Sequence, residues 1–178
     1  MQILEITTPS ELRQLAVLAE EIWSEHYTPI IGAEQVRYMI ERFQNAAVMQ
    51  QQIARENYRY FVTENDGQYF AYCALQKNSE NAIFLSKLYV EKTLRGKGVG
   101  KKLLLDSLER MNPSPETVVW LTVNKNNADS IAAYKRMGFS VAEELLTDIG
   151  NGFFMDDYRM QATVCELFAP LKPDRHLS

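Results

Sequence analysis

Residues 82–111 read AIFLSKLYVEKTLRGKGVGKKLLLDSLERM, and their texture changes twice. The first nine are apolar, aromatic and β-branched, in the manner of a strand. Next come Arg95, Gly96, Lys97, Gly98, Val99, Gly100, Lys101 and Lys102, with four cations and three glycines in eight residues. Val99, Leu103, Leu104, Leu108 and Met111 then share one helical face that stops before Pro113 and Pro115. The order is strand, loop, helix. Glycines let a backbone approach a ligand closely, and the first amides of a helix point outward unpaired and favour an anion. A pyrophosphate suits such a loop.

Spacing excludes two common phosphate loops. A Walker A loop ending in Gly100-Lys101 requires glycine at 95 and Ser or Thr at 102, where Arg95 and Lys102 stand. A dinucleotide pattern begun at Gly96-x-Gly98 requires glycine or alanine at 101, where Lys101 stands. The bland alternative is a solvated connection whose glycines serve geometry and whose lysines serve solubility.

Working outward, residues 117–123 (TVVWLTV) form a continuous apolar run, the pattern of a strand buried on both faces inside a sheet. Asn126 or Asn127 caps a following helix that ends at Met137, with Gly138 as its stop. Residues 139–146 and 153–161 read as two closing strands. On the other side, 58–63 and 69–76 form a hairpin about Glu64-Asn65-Asp66-Gly67, and 82–90 extends the meander. Gln2 to Ile6 alternate as a short strand, with Ser10 capping the helix that carries Leu12, Leu15, Ala16, Ala19 and Ile22. A second helical pattern covers about 33–54 through Val36, Met39, Ile40 and Phe43.

The element order is therefore β-α-α-β-β-β-α-β-α-β-β. It describes an α/β (α+β) domain, with a mixed, mostly antiparallel sheet of about seven strands flanked by about four helices. One domain over 1–166 and a tail over 167–178 are expected.

The chain has 178 residues, 46% hydrophobic and 24% charged, which suits one domain with its own core. Its net charge of −4 weighs against a general nucleic-acid binder. The opening residues lack export-signal features, which points to the cytoplasm. The apolar run at 70–75 is far short of the ~20 residues that cross a bilayer, so no membrane span is expected. Cys73 sits in that run as a buried free thiol, and with only His26 and His176 beside two cysteines no metal site is expected.

Asn127, Ser130, Ile131 and Tyr134 follow i, i+3, i+4, i+7 and share one helix face. Asn127 and Tyr134 stand ~10 Å apart along the axis, within reach of one long, thin ligand arm. Alone, the first reads as an N-cap and the second as a core aromatic.

Together these motifs resemble the GNAT superfamily of N-acetyltransferases. The acetyl-CoA loop pattern Arg/Gln-x-x-Gly-x-Gly/Ala is met by Arg95, Gly98 and Gly100, and the later signature by Asn127, Ser130, Tyr134, Gly138 and Phe139. The resemblance is close over about residues 82–139 and looser over the whole element order. It implies the GNAT fold with acetyl-CoA as acetyl donor. By the resemblance, Leu88, Tyr89 and Val90 pair with the pantetheine arm near a bulge where two strands splay. Arg95, Gly96, Lys97, Gly98, Val99, Gly100 and Lys101 hold or flank the pyrophosphate. Asn127, with Ser130, meets the pantetheine, and Tyr134 is the general acid.

The chemistry is coherent. An amine attacks the thioester, backbone N–H groups hold the charge developing on oxygen, and a phenol of pKa ~10 protonates a leaving thiolate whose parent thiol has pKa ~8.5. No covalent enzyme intermediate is needed. Some relatives place a glutamate on the strand before the loop, but residues 83–90 hold no carboxylate, which leaves Glu25, His26, Tyr27 or a water chain as base.

The resemblance directs the acceptor to a wall carrying Trp23, His26, Tyr27 and Tyr38. Residues 152–160 are similar to the closing strand of a polyamine-acetylating subset, and alternation puts Asp156 and Asp157 on opposite faces, so at most one faces a cationic acceptor. The acceptor is expected to be a polyamine or other small amine, with a protein N-terminus or lysine as the alternative. A homodimer is left open. The rivals of another class are a non-catalytic acyl-CoA sensor and an interaction module docking its basic loop on an acidic partner.

Overall fold

Thr8, and not Ser10, starts the first helix. Its hydroxyl accepts from the Glu11 amide at 3.3 Å while the Glu11 carboxylate accepts from the Thr8 amide at 2.8 Å, a reciprocal capping box. Pro9 follows at the first helical position, where its fixed φ costs nothing, so Ser10 already lies inside the helix.

The computed structural model describes residues 1–170. Strand β1 (Gln2–Ile6) leads into α1 (Pro9–Ile31), α2 (Ala33–Phe43) and α3 (Ala46–Arg55). Strands β2 (Tyr58–Asn65), β3 (Gln68–Ser79) and β4 (Ala82–Val90) follow, then a 3-10 turn (Lys92–Leu94), α4 (Val99–Met111) and β5 (Val118–Asn124). The chain continues through α5 (Ala128–Met137), β6 (Ser140–Gly150), β7 (Phe153–Thr163) and α6 (Val164–Phe168). All seven strands join one sheet in the order β1-β2-β3-β4-β5-β7-β6. Every pairing is antiparallel except β4 with β5. The α+β class and mixed sheet read from the sequence are what is observed.

The helical pattern over 33–54 is two helices. Asn45 breaks it, because its Oδ1 accepts from the Val48 amide at 3.0 Å and caps α3. The hairpin at Asp66-Gly67 takes positive φ at both residues, 52° and 80°, the handedness that matches strand twist.

Two cores lie on the two faces of the sheet. Leu12, Leu15, Ala19, Ile22 and Met49 of α1 and α3 pack on Tyr60, Val62 and Tyr72. On the other face Leu103, Leu104 and Leu108 of α4 pack on Phe61, Cys73, Val119 and Leu121. Residues 117–123 do lie inside the sheet but are not buried on both faces. Val119, Leu121 and Val123 are buried, whereas Val118, Trp120 and Thr122 are half-buried. The helices α1 and α3 cover β2 to β4, and Trp120 is instead shielded by Phe84, ring to ring at 4.2 Å, and by the Arg159 guanidinium at 4.7 Å.

The tail expected from residue 167 also starts later. Leu167 is 1% exposed and joins the core from α6, which Thr163 and Glu166 cap reciprocally. Residues 171–178 of that tail lie outside the described residues. Among the described residues no helix is long and apolar enough to cross a membrane.

Candidate active site

The parallel pair is short. Only Ala82, Ile83 and Phe84 of β4 pair with Val118, Val119 and Trp120 of β5. Beyond Phe84 the two strands part, and Ser86 is an extra residue in β4, since Leu85 faces Leu75 and Lys87 faces Ala74. One edge of β4 from Leu85 to Val90 is therefore unpaired toward β5, and a cleft of ≈ 770 Å3 opens there.

The glycine loop closes one end of this cleft. Gly96 and Gly98 have φ of 74° and 78°, values that side-chain-bearing residues resist, and Gly98 caps α4. The first intrahelical bond runs from the Lys102 amide to the Gly98 carbonyl at 3.0 Å. The amides of Val99, Gly100 and Lys101 consequently have no acceptor within the helix. Gly100 abuts β4: a Cβ there would stand 3.3 Å from Val90 Cγ2. Arg95 ties the loop down, with Nε donating to the Val90 carbonyl at 2.9 Å and Nη1 lying 3.4 Å from His26 Nδ1.

The structure gathers most of the sequence-predicted residues around this cleft. Leu88, Tyr89 and Val90 line it, as do Arg95, Gly96, Gly98, Val99, Gly100 and Lys101 of the loop. Ser130 and Tyr134 of α5 and His26 and Tyr27 of α1 complete that group. Trp23, Lys97 and Asn127 are not among the lining residues. Trp23 is 5% exposed and supports the wall from behind, its ring 4.4 Å from Tyr27 and 5.6 Å from Tyr89. Asn127 is the cap of α5, its Oδ1 accepting from the Ser130 amide at 3.3 Å. It lies beside His26 and Tyr27, yet its buried Nδ2 completes no hydrogen bond among the described residues. Tyr38 stands apart, donating to the Ile149 carbonyl at 2.8 Å.

Tyr134 is half-buried, edge-on to Phe139 at 5.6 Å. Burial and the neighbouring Tyr27 hold its phenol above the ordinary tyrosine range, so it is neutral at pH 7 and carries a proton to give. His26 is pushed the other way, below the usual histidine value, by burial and by the Arg95 charge. Glu25, the one carboxylate among the base candidates, turns to Lys92 at 3.1 Å.

One residue that sequence reasoning undervalued stands behind the acceptor wall. Asp157 is 4% exposed, and its Oδ1 has no hydrogen-bond partner among the described residues. Burial, reinforced by the Asp156 charge, pushes its carboxyl up to about 6, against the opposing pull of Thr122 and Lys125. The signal was the alternation along β7. It puts Asp157 on the face of Met155, which packs beneath α1 and α2, and Asp156 on the opposite face.

The Acetyltransferase (GNAT) family model matches residues 16–139. The chain belongs to that family. It is an acetyltransferase with acetyl-CoA as its acetyl donor, and the two motifs around the cleft fall inside the matched span. This GNAT enzyme is 28% identical over 143 residues to a 5-NmdU N-acetyltransferase of Pseudomonas phage PaMx11, across 80% of this chain and 99% of the relative. It is 28% identical over 71 residues to a probable spermine N(1)-acetyltransferase of Bacillus subtilis subsp. natto, across 39% of this chain and 47% of that one. Among solved structures, the PaiA N-acetyltransferase of Thermoplasma acidophilum in complex with coenzyme A superposes with a TM-score of 0.75 at 22% identity, covering 92% of this chain and 99% of that one. At that identity the superposition speaks for the fold.

Proposed function

We propose that this GNAT enzyme transfers acetyl from acetyl-CoA directly to the primary amine of a small acceptor of the polyamine class, both substrates being bound at once. One observation carries the reading: the unpaired amides of Val99, Gly100 and Lys101 and the phenol of Tyr134 line the same cleft, opened by the divergence of β4 from β5.

In this reading the α4 N-terminus and the Gly96–Gly98 turn hold the pyrophosphate, with Arg95 and Lys101 adding charge. Lys97, at the solvent side of the turn, adds to the field without lining the cleft. The free edge of β4 from Leu88 to Val90 offers backbone donors and acceptors to the pantetheine arm and to the charge that develops on the thioester oxygen. Ser130 borders the arm, and Asn127 sets the start of α5 beside it. The amine attacks the thioester carbon, the C–S bond breaks, and Tyr134 hands the thiolate its proton.

The polyamine class is supported by a carboxylate behind the acceptor wall, the aromatic surface of Tyr27 and Tyr89 at the same place, and the likeness to a relative named for spermine. A cytoplasmic setting accords with Cys73 and Cys165 being free thiols. The test is a screen of polyamines, simple amines and short peptides with acetyl-CoA, reading free thiol. The reading expects acceptor-dependent release that is strongest with polyamines. Thiol release with peptides alone would move the acceptor to a protein terminus or lysine.

A further inference from the structure

Between β5 and β7 the register aligns Asn124 with Asp157 and Thr122 with Arg159, so Thr122 and Asp157 are diagonal neighbours on one face of the sheet. Thr122 lines the cleft, and Asp157 lies directly behind it. Tyr27 of α1 forms the other side of that wall and feels the Asp157 charge. Among the described residues no cation pairs with Asp157. Lys125 reaches Asp156 at 2.6 Å and Glu144 at 2.8 Å, and Arg159 reaches Glu143 at 2.9 Å. A carboxylate buried to this extent with one oxygen unpartnered is costly unless a ligand completes it.

We propose that Asp157 is the proton acceptor for the incoming amine, drawing its ammonium to the Thr122 and Tyr27 wall and taking up its proton through the Thr122 hydroxyl. The inference rests on the acetyl-transfer reading. The acceptor ammonium gives a proton to the Thr122 oxygen, and the Thr122 hydroxyl proton passes to the Asp157 carboxylate. The freed lone pair forms the N–C bond, the C–S bond breaks, and Tyr134 protonates sulfur. The amide nitrogen sheds its second proton to the Tyr134 oxygen. Asp157 then releases one proton to solvent, which is the net proton of the reaction. In a site from which water is excluded, an ammonium and a carboxylate stand closer in proton affinity than they do in water, which is what this step needs.

Among the described residues few charged groups act on Asp157, and Arg159, next along its face of β7, is turned to Glu143. Asp156 on its own strand raises its carboxyl and Lys125 beyond β5 lowers it, while Tyr27 is the titratable group from α1. The Asp157 carboxyl, raised to about 6, and His26, held below the usual histidine value, both titrate on the acid side, and Asp157→Asn separates them because it removes only the first.

The experiment compares wild type, Asp157→Asn, Thr122→Val and Asp156→Asn with two acceptors across pH 5 to 9. One acceptor is an alkyl diamine, protonated at neutral pH, and the other an aromatic amine, uncharged there. Acetyl-CoA binding is followed by calorimetry. Asp157→Asn is expected to lose about 100-fold or more in kcat/KM for the diamine. It should also lose the acid limb near pH 6, while acetyl-CoA affinity and the aromatic-amine rate stay within about threefold. Thr122→Val should reproduce the selective loss, and Asp156→Asn should keep the diamine rate near neutral pH while its acid limb moves to lower pH, because it removes a charge that raises the Asp157 carboxyl. Equal loss with both acceptors, or an unchanged diamine profile in Asp157→Asn, overturns the proposal. If Asp157→Asn no longer binds acetyl-CoA, Thr122→Val decides: a selective diamine loss supports the relay and wild-type behaviour sinks it. Wild-type protein that releases no thiol with either amine contradicts the transfer reading itself, a separate failure.

Discussion

The Arg95 Nε donates to the Val90 carbonyl at 2.9 Å, so the guanidinium bolts the glycine loop to the last residue of β4. The same side chain reaches toward His26 on α1, and the end of the sheet, the loop and the acceptor wall are thus fixed by one cation. Because Arg95 is exposed, water competes for this bond, and its net contribution to folding is small, ~0.5 kcal/mol.

Replacing it tests that role. Arg95→Ala is expected to weaken acetyl-CoA binding by about tenfold or more, read by calorimetry, because it removes both a charge at the phosphate end and the brace that holds the loop. Its melting temperature should barely change, since the residue is exposed and touches no core.

Gly98 separates strain from crowding. A Cβ at this position would meet no protein atom within 4 Å, but φ is 78°, so Gly98→Ala costs ~1–2 kcal/mol of backbone strain. A bulky residue such as Gly98→Phe adds the loss of the space into which the α4 amides point. The expected result is a similar destabilisation for both variants in urea, with acetyl-CoA affinity lost only in the bulky one. Undiminished affinity in Gly98→Phe would place the phosphate elsewhere.

Tyr134 is a cleaner probe. No hydrogen bond to a described residue bears on its phenol, so Tyr134→Phe should leave stability and acetyl-CoA affinity as they are. Turnover should fall by about 100-fold or more, the usual contribution of a positioned general acid. Because burial raises the phenol above its ordinary range, no loss of wild-type activity traceable to this group is expected up to pH 9.

Much of this was legible in residues 82–139. The strand, the loop and α4 followed from period and glycine placement, and β5 to Gly138 from one apolar run, an asparagine and a glycine. What escaped was set by partners distant in sequence. Whether residues 117–123 are buried on one face or two depends on where α1 and α3 stop, and the division of the 33–54 helix on a single asparagine side chain turning back on the backbone. Asp157 shows the same limit. Alternation put the two aspartates on opposite faces, so at most one could meet a cationic acceptor, but only the pairing of Asn124 with Asp157 and of Lys125 with Asp156 decides which.

A buried, unpaired carboxylate should also be visible in stability. The Asp157 carboxyl lies at about 6 in the folded chain, above the ordinary aspartate value of 3.8. Folding therefore favours the protonated form. The benefit is complete below pH ~4 and lost as pH rises through 6, so that at pH 8 the charged side chain opposes folding by an amount on the order of 2–3 kcal/mol. Asp157→Asn removes the charge while keeping the shape. The variant is expected to melt higher than wild type at pH 8 and to show little advantage at pH 4.5, as measured by thermal unfolding across that range. A polyamine should narrow the difference at pH 8 by binding wild type and supplying the missing cation. An advantage independent of pH would mean that the carboxylate is already compensated in the resting protein.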